Sequence, residues 1–443
     1  MQYAVITFGC RVNQSDSLRA EEDLLALGAT PGPAESADVV VVNTCSVTAS
    51  ADQGARQTIR RIARLNPSAR IVVTGCYATR EREAVADLPN VSAVVPNEAK
   101  PVLIPLLRAG LATELPTPVG DGPCGAAIEP GVAGRTAFTL RVQNGCAEPC
   151  SYCIIPTTRG VPSSVSVEAI LADVERVSAA GFREVALTGV HLGSYGRDRA
   201  DGSSLAGLLC ALRDRFAARA DDGGPSMVFR VSSLEPMDCT DEVVAVIRDA
   251  DCFAPHFHLP LQHASSRMLA AMRRPYDAAY YDRLVRTIRR DIPHASIGTD
   301  LIVGFPGESD ADFDELAAYL ERSPLTHLHV FPYSDRPGTD ASRMGDRPAG
   351  LVVKARGTRV RQIGAVLARR FLASQVGAVH RALTLEDGTL AVTGNYLKVR
   401  IPPGQPRNQW VHVAIDRAEP DVRGRLVQVA APRPTATGAL SAG

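Results

Sequence analysis

The sequence predicts an α/β protein in three parts: an N-terminal open parallel α/β sheet, a central partial (β/α)6 barrel, and a small C-terminal antiparallel β-barrel. Three observations support this division. Apolar runs alternate with helical patterns through the first hundred residues, and the alternation resumes after Phe138 with six further strands. Past Val376 the runs are short, alternate in polarity and are separated by turn dipeptides such as Asp387-Gly388, which is typical of a small barrel.

Composition and charge set the broad class. A chain of 443 residues with 45% hydrophobic and 22% charged residues is ordinary globular material, long enough for two or three domains. The 48 basic and 48 acidic residues cancel, so nucleic-acid binding would need a local basic patch. The N-terminus lacks a basic region followed by an apolar core, and no segment reaches the ~18 apolar residues of a membrane span. We therefore expect a cytoplasmic protein without membrane association, whose cysteines are metal ligands or structural thiols.

Four apolar runs are the predicted strands of the N-terminal sheet: Tyr3–Thr7, Val39–Val42, Arg70–Thr74 and Val91–Val95. Helices are expected from Ser15, as an N-cap, to Leu27, from Asp52 to Leu65, and from about Arg80 and Glu98. This alternation predicts parallel strand pairing.

Cys10, Cys45 and Cys76 each follow one of the first three predicted strands. The carboxyl ends of the strands in an open α/β sheet border its ligand crevice, so the three thiols are expected to converge on one metal or cluster site. The alternative is three separate buried thiols, since free cysteine is common in protein cores.

Residues 111–134 are rich in Gly, Pro and Ala without periodicity and are predicted to form an interdomain linker. Cys124 within this linker is expected to be a free thiol. The tail after Pro432 is expected to be disordered.

A second group of cysteines, Cys146, Cys150 and Cys153, lies within eight residues directly after the first barrel strand. Closely spaced thiolates in a reducing compartment favour zinc, copper or an iron–sulfur cluster over a disulfide. A structural zinc site is normally closed by four protein ligands, and no fourth Cys or His follows nearby. Three cysteines leave one iron of a cubane cluster open, which favours a cluster, with a zinc loop as the alternative.

The barrel strands are expected at Phe138–Gln143, Val185–Thr188, Val228–Ser232, Phe257–Leu261, Ser296–Val303 and His327–Phe331. Catalytic residues of such barrels gather at the carboxyl ends of the strands, where the polar residues are Thr188, Gly189, Arg230, Ser232, Gln262 and Asp300. Each is equally well a cap or turn former. His256 and His258 are expected to share a strand face. We expect these two histidines and His263 to be structural or substrate-facing rather than ligands of a third metal site.

The C-terminal segment supplies a local basic patch, because residues 354–433 contain 14 Lys plus Arg against 5 Asp plus Glu. Tyr396, Lys398 and Arg400 alternate along one predicted strand, which would place a stacking ring and two phosphate-binding cations on one face. We predict that this face binds RNA; a solvated barrel surface is the alternative.

These segments resemble known families. Cys146-Ala-Glu-Pro-Cys150-Ser-Tyr-Cys153 resembles the signature of radical S-adenosylmethionine enzymes, which implies a 4Fe-4S cluster on these cysteines whose open iron binds S-adenosylmethionine. The segments Thr7-Phe-Gly-Cys10, Val42-Asn-Thr-Cys45 and Thr74-Gly-Cys76 resemble the N-terminal domain of the methylthiotransferases. That resemblance implies a second 4Fe-4S cluster on Cys10, Cys45 and Cys76, which carries the sulfur to be inserted.

Further segments extend the resemblance. The strand-end blocks of the barrel imply S-adenosylmethionine contacts for five residues: Thr188, Gly189, Arg230, Ser232 and Gln262. The family usually continues after Gln262 with Ser-Gly-Ser-Asp, whereas this chain has His263-Ala-Ser-Ser266. The missing glycine removes easy access to positive φ and puts the local backbone conformation in question. The segment from Thr393 to Arg400 resembles the RNA-binding TRAM domain.

The resemblance implies an enzyme in which one S-adenosylmethionine supplies the methyl group and a second supplies the radical, with no acid–base pair beyond the cluster ligands. The segments around Cys10 and Cys76 look closest to the MtaB-type branch, which acts at the adenine C2 of threonylcarbamoyladenosine beside a tRNA anticodon. The expected partners are tRNA, a reducing electron donor and a sulfur source. The alternatives are methylthiolation of isopentenyladenosine in tRNA or of a ribosomal-protein aspartate, and a zinc-stabilised RNA-binding protein.

The resemblance divides the chain into five segments: 1–110, the methylthiotransferase domain; 111–134, the linker; 135–375, the radical S-adenosylmethionine domain; 376–433, the TRAM-like domain; and 434–443, the tail.

Overall fold

The computed structural model describes residues 1–103, 105, 107, 136–218, 220, 222–385 and 387–428 of the chain. The predicted linker with Cys124 and the predicted tail lie outside the described residues. Across the described ranges, no helix is both long enough and apolar enough to cross a bilayer.

The N-terminal part is the predicted open parallel sheet. Its strands lie in the order β2-β1-β3-β4-β5, with every neighbouring pair parallel. Their bounds are β1 Gln2–Thr7, β2 Thr30–Pro31, β3 Val39–Thr44, β4 Arg70–Gly75 and β5 Val91–Val95. Every residue of β3 is buried, because both faces of a central parallel strand are covered. The edge strand β2 was not predicted, because a strand of two residues is too short to show an alternation of apolar and polar residues.

Among the described residues, four α-helices belong to this sheet: α1 Arg11–Ala26, α2 Ala49–Leu65, α3 Cys76–Arg80 and α4 Arg82–Ala86. The prediction that the first helix starts at Ser15 is wrong, because Cys10 has extended backbone and forms the N-cap. Ser15 lies inside α1, and its hydroxyl accepts a hydrogen bond from the Arg141 backbone N–H at 3.2 Å. Ser15 therefore joins the sheet to the barrel instead of capping a helix.

The central part is the predicted partial barrel, built from two sheets. The first contains β6 Phe138–Asn144, β7 Ser163–Ser164, β8 Glu184–Gly189 and β9 Val228–Val231; the second contains β10 His256–His258, β11 Ser296–Val303 and β12 His327–Pro332. A parallel bridge between Phe229 and Phe253 joins the sheets. Apart from the short β7, paired strands are parallel, so their carboxyl ends form one rim.

The helices around the barrel are, in the described part of the chain, α5 Ile155–Arg159, α6 Val167–Ala179, α7 Leu205–Arg215, α8 Asp241–Asp249, α9 Ser266–Ala271, α10 Ala278–Asp291 and α11 Asp310–Arg322. Five of them follow a residue whose side chain accepts a first-turn N–H: Ser166, Ser204, Thr240, Asp277 and Ser309. Such caps satisfy N–H groups that the helix leaves unpaired and so fix its start. Their apolar faces pack on the strands in the largest core.

The C-terminal part follows α12 Gly350–Ser374. Its strands are β13 Val379–Leu385, β14 Leu390–Thr393, β15 Lys398–Arg400, β16 Trp410–Arg417 and β17 Arg423–Leu426, and they close into a barrel. The strands pair antiparallel, as predicted, except that β15 and β17 are parallel. An odd number of strands cannot alternate in direction all the way around a closed barrel.

Candidate active site

The three N-terminal cysteines lie at adjoining strand ends, as predicted. Cys10 precedes α1 after β1, Cys45 follows β3 directly, and Cys76 is the first residue of α3 after β4. The loops pack against one another: a Cβ atom at Gly9, whose φ is +88°, would lie 2.5 Å from Cys45 Sγ. Only glycine fits there, which lets the Cys10 loop close over Cys45.

The electrostatic coupling of these thiols indicates that they are neighbours. Burial raises the pKa of Cys45 to about 12; a hydrogen bond from the Val47 backbone N–H opposes this effect, and the charges of Cys10 and Cys76 add to it. Thiols in such surroundings become thiolates most readily when a cation binds them. The donor set therefore fits a metal centre.

A buried ion cluster lies beside this triad and joins the sheet to the barrel. Arg159 donates to Asp16 at 2.9 Å, and Lys100 and Arg141 contact the same carboxylate. Burial acts to lower the pKa of Arg159, but Asp16 and two thiols of the triad outweigh burial and raise it. Arg159 thus places a fixed positive charge beside Cys10 and Cys76.

The second triad lies on the loop after β6, at the rim of the barrel, as predicted. Its three thiols are partly exposed: Cys146, Cys150 and Cys153. Arg274 Nη1 lies 3.1 Å from Cys150 Sγ, and Glu235 binds the same guanidinium. Burial raises the pKa of Cys150, and the charge of Arg274 opposes that rise.

The sulfur of Cys153 accepts a backbone hydrogen bond at this site. Burial raises the pKa of its thiol to about 12; a hydrogen bond from the Ile155 backbone N–H lowers it, and the charges of Cys150 and Cys146 raise it. The three sulfurs therefore share one loop, with a guanidinium and backbone N–H groups directed at them. Hydrogen bonds to ligand sulfur are a feature of iron–sulfur sites, so these residues fit a cluster with three protein ligands.

His191 contacts the same loop, although the sequence gives it no signal as a site residue. Its Nε2 lies 2.7 Å from Asp238 Oδ2. Burial acts to lower the pKa of His191, but hydrogen bonds to Asp238 and Cys146 outweigh it and raise the pKa to about 10. The imidazolium is therefore a second cation beside the Cys146 loop.

Three of the predicted S-adenosylmethionine contacts lie near this rim. Thr188 and Gly189 end β8, and Gln262 follows β10. Thr188 and Gln262 are buried. Their role as cofactor contacts stays a prediction.

The other two predicted contacts, Arg230 and Ser232, have partners within the protein. Arg230 Nε donates to Glu184 Oε1 at 3.0 Å, and its Nη1 donates to the Gly394 carbonyl oxygen at 2.7 Å. Ser232 Oγ accepts from Arg11 at 3.3 Å. Arg230 is 1% exposed. Its ion pair with Glu184 lies within the barrel, and its hydrogen bond to Gly394 joins the barrel to the C-terminal domain. Its contact with S-adenosylmethionine, like that of Ser232, remains a prediction.

None of the residues His263–Ser266 has a positive φ. Positive φ falls instead on Gln262, at +69°, whose backbone bonds to the Asp300 carbonyl and the Ile302 N–H hold it in place. His263 is fully buried, with Nε2 3.3 Å from Glu308 Oε1. The departure from the family pattern therefore imposes no positive φ on Ala264, and His263 is structural.

Four histidines line the inner face of β10 and β12. His256 and His258 share this face, as predicted, and His256 stacks on His327 with the ring centres 6.1 Å apart. His258 and His329 each lie 3.1 Å from Asp300 Oδ1. The ligand atoms of His258, Asp300 and His329 lie within 4.8 Å of one another, but hydrogen bonding to Asp300 alone accounts for this cluster.

The predicted RNA-binding strand is only partly as expected. Lys398 and Arg400 are exposed on β15. Tyr396 lies before that strand with φ +70°, and its ring centre is 4.2 Å from the Arg230 guanidinium and 4.8 Å from the His256 ring. The prediction that Tyr396 shares a strand face with Lys398 and Arg400 is wrong, because a left-handed turn directs the ring into the central barrel.

Beside Arg400, an open groove of about 810 Å³ is lined by four arginines: Arg400, Arg417, Arg423 and Arg425. Asp421 pairs with the first three and Asp416 with the last. The four guanidinium groups exceed the two carboxylates, so the groove carries net positive charge, as phosphate binding requires.

Comparisons with known proteins match both cysteine-bearing parts. Residues 2–96 match uncharacterized protein family UPF0004, and residues 140–320 match the radical SAM superfamily. The first range carries Cys10, Cys45 and Cys76, and the second carries the Cys146 loop.

Curated relatives span nearly the whole chain. The threonylcarbamoyladenosine tRNA methylthiotransferase MtaB of Aquifex aeolicus is 36% identical over 90% of this chain and 96% of its own length. The Bacillus subtilis protein of the same name is 32% identical over 89% and 88%. The tRNA-2-methylthio-N(6)-dimethylallyladenosine synthase of Xanthomonas campestris is 33% identical over 95% and 90%.

Among solved structures, the radical S-adenosylmethionine methyltransferase TsrM from Kitasatospora setae, with cobalamin and a 4Fe-4S cluster bound, matches with a TM-score of 0.56. It is 15% identical and covers 77% of this chain and 73% of that chain, which indicates a shared fold. The sequence relatives align with most of this chain at 32–36% identity. The chain therefore belongs to the methylthiotransferase family of radical S-adenosylmethionine enzymes.

Proposed function

We propose that this enzyme inserts a methylthio group at C2 of threonylcarbamoyladenosine beside the anticodon of tRNA. The observation that carries the reaction class is the presence of two separate cysteine triads, one at the strand ends of the sheet and one at the barrel rim. Radical generation needs only the triad at the barrel rim. The triad at the strand ends of the sheet is explained if the enzyme also inserts sulfur. The MtaB relatives support the choice of substrate.

The residues of the barrel rim fit the cofactors that the family implies. Cys146, Cys150 and Cys153 would hold a 4Fe-4S cluster, and Arg274 and His191 place positive charge beside the first two sulfurs. When bound, the cluster and S-adenosylmethionine supply the radical that removes hydrogen from the substrate carbon. We assign the five predicted strand-end residues to S-adenosylmethionine binding: Thr188, Gly189, Arg230, Ser232 and Gln262.

A 4Fe-4S cluster on the first triad, Cys10, Cys45 and Cys76, is also part of the proposal, together with an external electron donor and a sulfur source. Asn13 Nδ2 donates to the carbonyl oxygens of Phe8 and Thr44 at 2.8 and 2.9 Å. These bonds tie the Cys10 loop to the Cys45 loop. Asn13 is fully buried, so these hydrogen bonds are shielded from water and fix the two loops relative to each other.

The C-terminal domain, residues 376–433, is proposed to hold the tRNA through Lys398, Arg400 and the adjoining arginine groove. The 1–110 and 135–375 domains would then meet around the reacting base. Recognition of a loop base by RNA-binding proteins commonly involves unstacking it from its neighbours.

The first prediction concerns this RNA interface. A double variant, Lys398→Gln with Arg400→Gln, is expected to weaken tRNA binding, because both cations lie exposed on β15. The slope of log affinity against log salt should fall by about 0.7 to 0.9 for each phosphate that the protein no longer neutralises. Arg361→Gln, on the exposed side of α12, is the matched control. Unchanged affinity and slope in the double variant would remove these residues from the RNA interface.

The proposed substrate is tested with purified, cluster-reconstituted protein, S-adenosylmethionine and a chemical reductant. Three substrates are supplied separately: an anticodon stem–loop with threonylcarbamoyladenosine, the same RNA with isopentenyladenosine, and a ribosomal protein. We expect a methylthio mass increase on the first alone. Modification of the isopentenyl RNA or of the ribosomal protein instead would assign the enzyme to those reactions, and colourless protein with about two zinc ions would indicate a non-catalytic RNA-binding protein.

A further inference from the structure

Arg11 lies at a junction of all three parts of the chain. It is the first residue of α1, next to Cys10. Its Nη1 donates to Ser232 Oγ of the barrel at 3.3 Å, and its Nη2 donates to the Tyr396 hydroxyl of the C-terminal domain at 2.7 Å. The guanidinium is therefore held in one place by two other domains.

Both of these partners are neutral. Within the described ranges, both side-chain hydrogen bonds of Arg11 go to hydroxyl groups and no carboxylate pairs with it. The neighbouring Arg230, by contrast, is neutralised by Glu184 at 3.0 Å. Two hydrogen bonds use two of the five guanidinium donors, so Arg11 keeps three donors and its whole positive charge for a further partner.

The position of Tyr396 supports a functional reason for this arrangement. Its φ of +70° is rare for an aromatic residue and strains the backbone. The ring is nevertheless fixed by the Arg230 guanidinium at 4.2 Å and by His256 at 4.8 Å. A strained residue that is fixed by packing and ends in a hydrogen bond to Arg11 serves to position that guanidinium.

The charged groups described on the nearby barrel face are compatible with a bound anion. The carboxylate of Asp300, on the inner face of the barrel, is bonded by both His258 and His329. The start of α1 also directs the positive end of the helix dipole toward this junction.

We propose that Arg11 binds the carboxylate of the threonylcarbamoyl arm and so selects this substrate over adenosines with an uncharged arm. The inference rests on the proposed function. The arm is an N-acylated threonine and carries a free carboxylate, whereas a dimethylallyl arm carries no charge. A guanidinium with free donors matches a carboxylate in shape as well as in charge. Because Arg11 follows Cys10, this contact would also set the adenine next to the first cysteine triad.

The test measures binding without turnover. Reconstituted wild-type protein and the variants Arg11→Gln, Arg11→Lys and Arg19→Gln are titrated with fluorescent anticodon stem–loops. One RNA carries threonylcarbamoyladenosine, one carries its methyl ester, and one carries unmodified adenosine. Arg19 is an exposed arginine on the same helix and serves as the control.

Arg11→Gln is expected to weaken binding of the carboxylate RNA on the order of 10- to 100-fold and to leave the other two RNAs unchanged. Arg11→Lys should restore part of the preference, and Arg19→Gln should have no effect. Iron content and the thermal unfolding midpoint report whether the variants keep their fold. Equal losses on all three RNAs would mean a purely structural role, and no loss on any of them would also overturn the assignment. If wild-type protein binds all three RNAs equally but still modifies the carboxylate RNA, only the Arg11 inference fails; if it modifies none of them, the proposed function fails as well.

Discussion

Replacement of Cys146, Cys150 and Cys153 together by alanine is expected to halve the iron content and to abolish formation of deoxyadenosine from S-adenosylmethionine. The three thiols occupy one loop at the barrel rim, and Arg274 and Ile155 donate to two of their sulfurs. Without them the cluster of the Cys146 loop has no protein ligands, so reductive cleavage of S-adenosylmethionine has no electron source. Iron would fall from roughly eight to roughly four atoms per chain.

Iron and sulfide analysis with chromatographic detection of deoxyadenosine checks this result. Cys210→Ala, on α7, is the matched control and should change neither quantity. Persistent deoxyadenosine in the triple variant would show that another site cleaves S-adenosylmethionine.

The second large effect is expected from replacement of Cys10, Cys45 and Cys76 by alanine. Iron should again fall by half, but deoxyadenosine should still form, because the Cys146 loop lies on a different domain. Methylthio product should disappear entirely, since the centre that is proposed to provide the sulfur has lost its three protein ligands. The two triple variants thus separate radical formation from sulfur insertion.

Electron paramagnetic resonance of the two reduced variants provides an independent readout. The Cys146, Cys150 and Cys153 variant should show only the signal of the cluster on Cys10, Cys45 and Cys76, and the other variant should show only the signal of the cluster on the Cys146 loop. If the Cys10, Cys45 and Cys76 variant kept full iron and full methylthio product, the assignment of a second cluster would be wrong. The thermal unfolding midpoint of each variant is measured as well, so that a loss of iron or of product is not mistaken for a loss of fold.

Local patterns in the sequence were sufficient to predict much of this structure. The thiols of Cys10, Cys45 and Cys76 follow strands that are recognisable as apolar runs, and parallel pairing brings strand ends together wherever such runs alternate with helices. The Cys146 loop is predictable for a simpler reason, since its three cysteines are close in sequence. The closed C-terminal barrel likewise follows from short alternating runs.

Interactions over long sequence separations were not predictable. Arg274 lies 124 residues from Cys150, and Arg159 lies 143 residues from Asp16. No periodicity or spacing connects such pairs, because tertiary packing alone brings them together. His191 was missed for the same reason, as its partner Asp238 lies 47 residues away.

Two segments show that a local pattern is not a complete description. The alternation of Tyr396, Lys398 and Arg400 suggested one strand, but Tyr396 adopts left-handed backbone and the strand begins at Lys398. At His263–Ser266 the missing glycine left the backbone conformation open, and the structure places the positive φ on Gln262. In both segments, long-range interactions decide the conformation of a single residue.

The most direct test of the proposed activity is mass spectrometry of tRNA nucleosides from cells with and without this gene. The account predicts loss of the methylthio form of threonylcarbamoyladenosine, accumulation of threonylcarbamoyladenosine itself, and no change in the methylthio form of isopentenyladenosine. Restoring the gene should restore the missing nucleoside, and restoring the Cys10, Cys45 and Cys76 variant should not. Loss of the isopentenyl derivative with the threonylcarbamoyl derivative unchanged would contradict the account and leave only the reaction class standing.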